Sequence, residues 1–348
     1  MARILYGVAG EGLGHAVRSR AVIEGLSKNN KIKVVASSKA YSYLSNFFDA
    51  EEIDYFRIIY RDNKAANLLT LFNNFIRFPA ILARGWKILR IINELKPDVI
   101  ITDFEPLASY FACFKKIPLI SIDNQHIITG AIHKNIPKKY RLDAIITKLV
   151  TKLFIVKSRK FFINSFYGCE LKDKNSVLIK PLLRKEIINL KTSRKNHILA
   201  YQTSNSNNKL IKELQKINEK FIVYGFYENK NIGNVMLKDA REKEFLKDLA
   251  SCKAIITNGG FTLISEALYL KKPILSIPVK KQFEQILNAI YVERLGYGMH
   301  AEETSKETIE KFIKNIPKFR KKLIGYKRYD NGEALRKIND AVKYLSKN

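Results

Sequence analysis

Cysteine is scarce in this chain. The three present (Cys113, Cys169 and Cys252 among 348 residues) are too far apart for a disulfide framework or a zinc motif. Acidic residues are also few, 33 Asp and Glu against 62 Lys and Arg, which leaves a net charge of +29. No stretch approaches the ~18–20 consecutive apolar residues that span a bilayer. The opening Met1–Gly10 runs from a short apolar segment straight into a glycine loop, without the basic segment and long apolar core of a signal peptide. There is no low-complexity tract, fixed-period repeat or Pro/Ser-rich linker. No Walker A sequence and no Asp-x-Asp pair occur, and the five histidines do not group with carboxylates or cysteines into a metal-ligand set. These absences argue against a secreted disulfide scaffold, a membrane-spanning helix and a repeat array. A reducing, cytoplasmic location is the expectation.

What is present is enough apolar sequence for two cores. Hydrophobic residues make up 46% and charged residues 27%, and the length suits two domains of ~100–200 residues each. The positive charge admits nucleic acid, an anionic membrane face or an anionic substrate as partner. Lysines spread over the whole chain also fit a general compositional habit, as in Lys-rich thermophile surfaces.

Short apolar runs alternate with helical patterns. In the first half, Ile4–Val8, Lys33–Ala36, Val99–Thr102 and Leu119–Ile122 read as strands, with a helix expected over 16–28. A second series has strands at Ile198–Tyr201, Phe221–Tyr224, Ala254–Thr257 and Pro273–Ile277, and helices at Lys209–Asn218 and Glu244–Ser251. Further helices are expected over 282–295, 303–315 and 331–346, and the polar stretch Asn189–Asn196 reads as a hinge. This pattern predicts an α/β protein with two doubly wound, Rossmann-like domains facing across a cleft. Ligands in such sheets sit beyond the carboxyl ends of the strands.

Two loops stand at such ends. In the second series a buried strand ends in Asn258-Gly259-Gly260 and a helix opens at once. A helix N-terminus offers free N–H groups and a positive dipole end to a phosphate, and glycines allow close approach. Thr262 adds a hydroxyl, and Glu266, within two turns, can accept from neutral hydroxyls such as those of a ribose. After the next strand, Glu284 and Gln285 offer a carboxylate and an amide side by side. Alone, the two glycines would read as a tight strand-to-helix turn.

In the first half, Gly10-Glu-Gly-Leu-Gly-His-Ala-Val-Arg follows the first strand. The G-x-G-x-x-G spacing fails, so a dinucleotide site is not indicated. His15 stands at the loop-to-helix junction, where imidazole, with an unperturbed pKa near ~6.5, can take a proton from a hydroxyl. Asp103 ends another strand, and Asp123-Asn124-Gln125-His126 follows the next. Single histidines are commonly structural, and Asp103 can equally be a turn residue.

The run from Asn258 to Gly298 resembles the donor-binding region of GT-B glycosyltransferases. It is similar to the lipid-linked peptidoglycan N-acetylglucosaminyltransferase and, more distantly, to plant and animal UDP-glycosyltransferases. The matching residues are the Gly259-Gly260 pair, Thr262, Ser265-Glu266-Ala267, Lys272-Pro273, Ile277-Pro278, Glu284-Gln285, Asn288-Ala289, Glu293 and Gly296. The resemblance implies that Glu266 binds ribose, the Gly259–Thr262 turn the diphosphate, and Glu284 with Gln285 the donor sugar, with Asn258 a further donor-binding residue. It adds Thr203 and Ser204, in a loop that here lacks the usual glycines, as phosphate contacts; a plain surface turn fits that loop equally. Glu284 departs from the amide of the peptidoglycan enzyme, so the sugar stays open. The spacing Gly12-x-Gly14-His15-x-x-Arg18 is similar to the acceptor-side loop of the same enzymes, which makes His15 the expected base and Asp103 its orienting partner. Asn124 and His126 are further acceptor-side candidates.

The resemblance thus implies residues 1–188 as acceptor domain, 197–325 as nucleotide-sugar domain and 326–348 as a C-terminal helix that can return to the first domain. The expected activity is metal-independent, inverting hexosyl transfer from a nucleotide sugar, expected to be UDP-linked, to a glycan or lipid-linked acceptor, with no other cofactor. The Gly12–Arg18 loop also resembles the hydrolase of pseudaminic acid synthesis, so a nucleotide-sugar hydrolase or epimerase of the same fold is a rival. A basic nucleic-acid-binding protein is a more distant one, supported by charge alone.

Basic residues cluster with apolar ones in two places. Between Asn63 and Asn93 no acidic residue occurs, while Arg77, Arg84, Lys87 and Arg90 recur opposite Phe78, Ile81, Leu82, Ile88, Leu89 and Ile92. Lys134–Lys160 holds nine basic residues against one acidic, Asp143. A solvated basic helix face explains the first run; a surface that docks on anionic lipid at the inner face of the membrane is the sharper alternative.

Overall fold

A computed structural model describes residues 1–10, 12–53, 60–61, 64–65, 76, 85–202, 208–239 and 241–347. Thr203 and Ser204, and Arg77, Phe78, Ile81, Leu82 and Arg84 of the basic run, lie outside the described residues.

The chain divides into two compact units: Met1–Ile59 with Ala66–Arg184 and Asp330–Asn348, and Lys185–Tyr329 with Tyr60–Ala65. Each is built on a seven-stranded sheet. The first sheet uses β1 (Arg3–Val8), β2 (Lys31–Ala36), β3 (Ala50–Glu52), β4 (Val99–Asp103), β5 (Leu119–Asp123), β6 (Lys160–Asn164) and β7 (Ser176–Ile179), in the order 3-2-1-4-5-6-7. Its pairings are all parallel. β4 and β5 are buried at every residue, as strands covered on both faces must be. Alternate residues feed two cores. Ile4, Tyr6, Val8, Val99 and Ile101 pack on one side with α1 (Leu13–Leu26) and α2 (Ser38–Leu44). Leu5 and Ile100 face the other side with α3 (Trp86–Leu95) and α4 (Pro106–Phe114). Two further helices lie on the path to β6, the short α5 (His126–Gly130) and the longer α6 (Arg141–Phe154). The C-terminal helix, Gly332–Leu345, adds Ala334, Ile338 and Val342 to the α1 side. Gly25 permits this: a Cβ there would lie 2.6 Å from Leu335 Cδ1.

The second sheet runs β10 (Lys230–Ile232), β11 (Val235–Lys238), β9 (Phe221–Tyr224), β8 (Ile198–Tyr201), β12 (Ala254–Thr257), β13 (Ile274–Ser276), β14 (Gly298–His300). Only the β10–β11 edge pair is antiparallel in this sheet. Its helices are α7 (Asn208–Gln215), α8 (Glu242–Ser251), α9 (Phe261–Tyr269), α10 (Phe283–Arg294) and α11 (Lys306–Ile324). α11 outruns the expected 303–315 because it continues through Pro317, held by the buried Ile316, Phe319 and Leu323; packing outweighs the lost hydrogen bond.

The polar stretch 189–196 is tied to the second unit. Ser193 and Lys195 donate their backbone N–H groups to the carbonyls of Ala250 and Ser251, at 3.1 and 2.7 Å. The buried Lys272 ammonium donates to the carbonyls of Ser193, Ala250 and Cys252 at 3.0, 2.6 and 2.8 Å. Burial lowers its pKa, and two carbonyls at the C-terminus of the Glu242–Ser251 helix, Ala250 and Cys252, with that of Ser193 compensate the charge.

Candidate active site

In each sheet the strand order reverses at one place, and a crevice forms there between loops leaving in opposite directions. In the first sheet this switch point lies between β1 and β4, where Val8 pairs with Asp103. The register therefore sets the glycine loop beside the Asp103 carboxylate. Gly12 has φ +79°, a conformation open to glycine, and caps α1. Gly10 allows close packing, since a Cβ there would meet the Ser37 carbonyl oxygen at 2.5 Å. Gly14 lies in the first turn of α1, beside His15.

Three side chains from the start of α1 converge on Asp103. His15 Nδ1 lies 2.7 Å from Oδ1. Arg18 Nε donates to Oδ2 at 3.0 Å while its Nη2 contacts Oδ1, and Ser19 Oγ donates to Oδ2 at 2.9 Å. Positions 15, 18 and 19 are i, i+3 and i+4 on one helix face. Burial pushes the Asp103 pKa up, but Arg18 and His15 outweigh it and hold the carboxyl below its ordinary value. An ionised Asp103 orients His15 with Nδ1–H toward the carboxylate, leaving Nε2 as the acceptor. The Gln125 amide nitrogen lies 3.4 Å from that Nε2.

Next door, β5 ends in a second aspartate–histidine pair. Asp123 Oδ2 lies 2.7 Å from His126 Nδ1 and accepts from Ser121 Oγ at 2.6 Å, while Oδ1 accepts from the His126 N–H at 2.9 Å. Burial raises the Asp123 pKa, yet His126 and these hydrogen bonds bring it down to about 2. The His126 ring is buried and packs 4.6 Å from Phe161, centroid to centroid. Asn124 is fully buried, its amide donating to the Asn164 carbonyl at 2.9 Å, so it ties β5 to β6. Phe104 adopts φ +56°, and its ring centroid lies 6.4 Å from both His15 and His126. A bulky residue in the left-handed region is strained, and such strain gathers at functional sites.

The second switch point lies between β8 and β12, where Tyr201 pairs with Thr257. Asn258 Nδ2 donates across it to Gln202 Oε1 at 3.1 Å and to the Ile277 carbonyl at 3.2 Å. Gly259 has φ +89°, and a Cβ there would lie 2.7 Å from the Gln285 carbonyl oxygen. A Cβ on Gly260 would meet nothing within 4 Å, so the approach to the first turn of α9 is open there. That turn has no side-chain cap. Thr262 is half-buried in it, and Glu266 is buried one turn further on.

Gln285 spends its side-chain Oε1 on the Val279 N–H at 2.9 Å, which leaves its side-chain amide nitrogen for any ligand. Asn288 donates to the Gly259 carbonyl at 3.0 Å. Glu284 is half-buried in the first turn of α10. Glu293 accepts from the His300 N–H at 3.2 Å, and Gly296 turns the chain with φ +71°. Part of the Asn258–Gly298 pattern therefore has structural reasons.

Sequence reasoning had not singled out Ser19, Phe104, Gln125 or Gln202. The i+4 spacing from His15 could have flagged Ser19; the others depend on sheet register and backbone conformation. Among the described residues, no three His, Cys, Asp or Glu side chains gather as a metal site would need.

Two parallel-dominated seven-stranded α/β sheets in one chain are the GT-B fold of glycosyltransferases. The chain belongs to glycosyl transferase family 1, whose model matches residues 2–317. It is 29% identical to an uncharacterized glycosyltransferase of Methanosarcina acetivorans, over 90% of this chain and 89% of that one. It is 23% identical to a UDP-N-acetylglucosamine--N-acetylmuramyl-(pentapeptide) pyrophosphoryl-undecaprenol N-acetylglucosamine transferase of Bacillus cereus, over 97% and 98%. The fold is shared with a UDP-glucosyltransferase from Polygonum tinctorium (TM-score 0.71, 13% identity, 100% of this chain and 99% of that one). It is also shared with the glycotransferase of kitacinnamycin (TM-score 0.65, 14% identity, 99% of each).

Proposed function

We propose that the enzyme moves a hexose from a UDP-sugar to an acceptor hydroxyl with inversion, His15 acting as general base. The observation that carries this reading is the His15–Asp103 contact of 2.7 Å at the carboxyl edge of the sheet. Nε2 takes the proton from the acceptor hydroxyl, and Asp103 stabilises the imidazolium that forms. The acceptor oxygen attacks the anomeric carbon as its bond to the β-phosphate oxygen breaks, and the nucleoside diphosphate leaves. The uncapped first turn of α9 receives the developing negative charge, the role a divalent cation fills in other transferases, so the reaction is metal-independent on this reading. Glu266 accepts from the ribose hydroxyls, and Glu284 with the Gln285 amide nitrogen from and to the sugar.

The acceptor class is a glycan or a lipid-linked glycan, in line with the similarity to the Bacillus cereus transferase. A lipid-linked acceptor would bring the enzyme to the inner face of the membrane.

The test is thermal shift or calorimetry with UDP, GDP, ADP and their sugars, on wild type and Glu266→Ala. Stabilisation by UDP species, lost in the variant, is the expected result; binding at 100 times Kd would add about 2.7 kcal/mol. A folded protein that answers no nucleotide would sink the reading. Release of free sugar at full rate without acceptor would reassign it as a hydrolase.

A further inference from the structure

Arg18 touches the imidazole as well as the carboxylate. A guanidinium that served only as counter-charge to the buried Asp103 could grip its oxygens and keep clear of the histidine. Here Nε donates to Oδ2 at 3.0 Å, and Nη2 contacts Oδ1, the oxygen that also holds His15. The same Nη2 lies 3.2 Å from His15 Nδ1. Arg18 is 3% exposed and Asp103 is fully buried, so both charges act on the ring with little screening by water.

The two charges oppose each other at His15. An ionised carboxylate 2.7 Å from Nδ1 favours an imidazolium. A base that already carries its proton cannot take another from an acceptor hydroxyl. The guanidinium disfavours the same imidazolium from 3.2 Å. On the far side of the ring, the Gln125 amide nitrogen lies 3.4 Å from Nε2, where it can donate only to a nitrogen without a proton. Among the described residues, the charged groups in contact with the ring are Asp103 from β4 and Arg18 from α1, and the loop after β5 meets it with the neutral Gln125. The Asp123–His126 pair stands further off, the rings of His15 and His126 each lying 6.4 Å from that of Phe104.

A purely structural Arg18 would stabilise the buried carboxylate and leave the protonation of His15 unchanged. The contact with Nδ1 sets the two roles apart.

We infer that Arg18 is a positioning residue of the base: it offsets the charge of Asp103, so that the carboxylate orients His15 without protonating it and Nε2 stays open to the proton of the acceptor. This deepens the proposed reading and rests on it for the role of His15 as base.

The test is an NMR titration of the histidine rings of the ligand-free full chain over about pH 5 to 9, with His15→Asn identifying the His15 signal among the five histidines. Arg18→Gln is expected to raise the His15 midpoint by roughly one pH unit or more, a tenfold gain in proton affinity. Arg18→Gln with Asp103→Asn removes both buried charges together, which a fold tolerates better than the loss of one. The midpoint of this double variant should stay within about half a pH unit of wild type. An unmoved midpoint in Arg18→Gln, or a change of roughly a full pH unit in the double variant, overturns the proposal. UDP binding by calorimetry on the same proteins keeps the two readings apart, since Arg18 belongs to the first unit and the donor turn to the second. An unmoved midpoint with intact UDP binding removes the role of Arg18 alone. A midpoint that moves as expected in a protein that binds no nucleotide overturns the transferase reading, and with it the role of His15 as base.

Discussion

The two switch points share a geometry and differ in charge. In the first sheet, the loop after β1 and the end of β4 are joined through Asp103, which gathers a histidine, an arginine and a serine. In the second, the loop after β8 and the end of β12 are joined by two amides, Gln202 and Asn258, beside two glycines. The same strand order thus produces one crevice organised around an ionised carboxylate and one whose cross-link is neutral. A buried carboxylate is tolerated where it orients an imidazole and is matched by a guanidinium. Beside an incoming diphosphate it would repel, and amides with open backbone N–H groups suit an anion better.

Exchanging these characters should have unequal costs. Asp103→Asn is expected to do the most damage, lowering the transfer rate roughly a thousandfold or more because the imidazole loses its tautomer partner. It also leaves the buried Arg18 without its counter-charge, at about 3–5 kcal/mol, readable as a lower midpoint in urea. His15→Ala should lose at least as much rate, roughly a thousandfold or more, while keeping nearly all that stability. Equal stability loss in both variants would mean that Asp103 does not depend on Arg18 as its structural partner.

Asn258→Asp is the reciprocal change and should come second. It places a carboxylate at the proposed donor turn and should weaken UDP-sugar affinity on the order of a hundredfold, with the rate at saturating donor little altered. Calorimetry beside initial rates separates the two effects, and an unchanged affinity would remove the electrostatic distinction.

The smallest effect belongs to Glu105, which caps α4 just beyond Asp103 and accepts from the Leu107 and Ala108 N–H groups at 3.0 and 2.6 Å. Burial pushes its pKa up from 4.5 to about 7, against the lowering effect of those two donors. Its contribution to stability is full below the unfolded value and is lost as pH rises through about 7, a swing of up to about 3 kcal/mol. Glu105→Gln keeps the shape and cannot ionise, so Tm should fall less steeply between pH 5 and 8 than in wild type. Parallel pH profiles would show that Glu105 does not titrate there.

Much of the architecture was readable because parallel strands buried on both faces, such as Val99–Asp103 and Leu119–Asp123, are short, mostly apolar runs. The loops after them, with His15, Asp103, Asn258 and Gly259, follow from the rule that such sheets work at their carboxyl ends. What could not be read was pairing. That Asp103 meets Arg18 and Ser19 depends on the register of β1 against β4, which no local pattern encodes. Gln285 read as a sugar ligand, but half of its amide holds Val279. Arg18 read as part of an acceptor loop, and its guanidinium is turned inward onto a carboxylate.

The C-terminal helix has a consequence for synthesis. Its Ala334, Ile338 and Val342 belong to the core beneath β1 and α1, so a ribosome that has translated through Arg184 has not yet supplied everything the first unit needs. The whole of Lys185–Tyr329 must emerge first. At about 5–20 residues per second this delay is on the order of ten seconds. Through that interval the part of this core that Ala334, Ile338 and Val342 complete has no cover from its own chain, which makes the nascent protein a natural client for a chaperone.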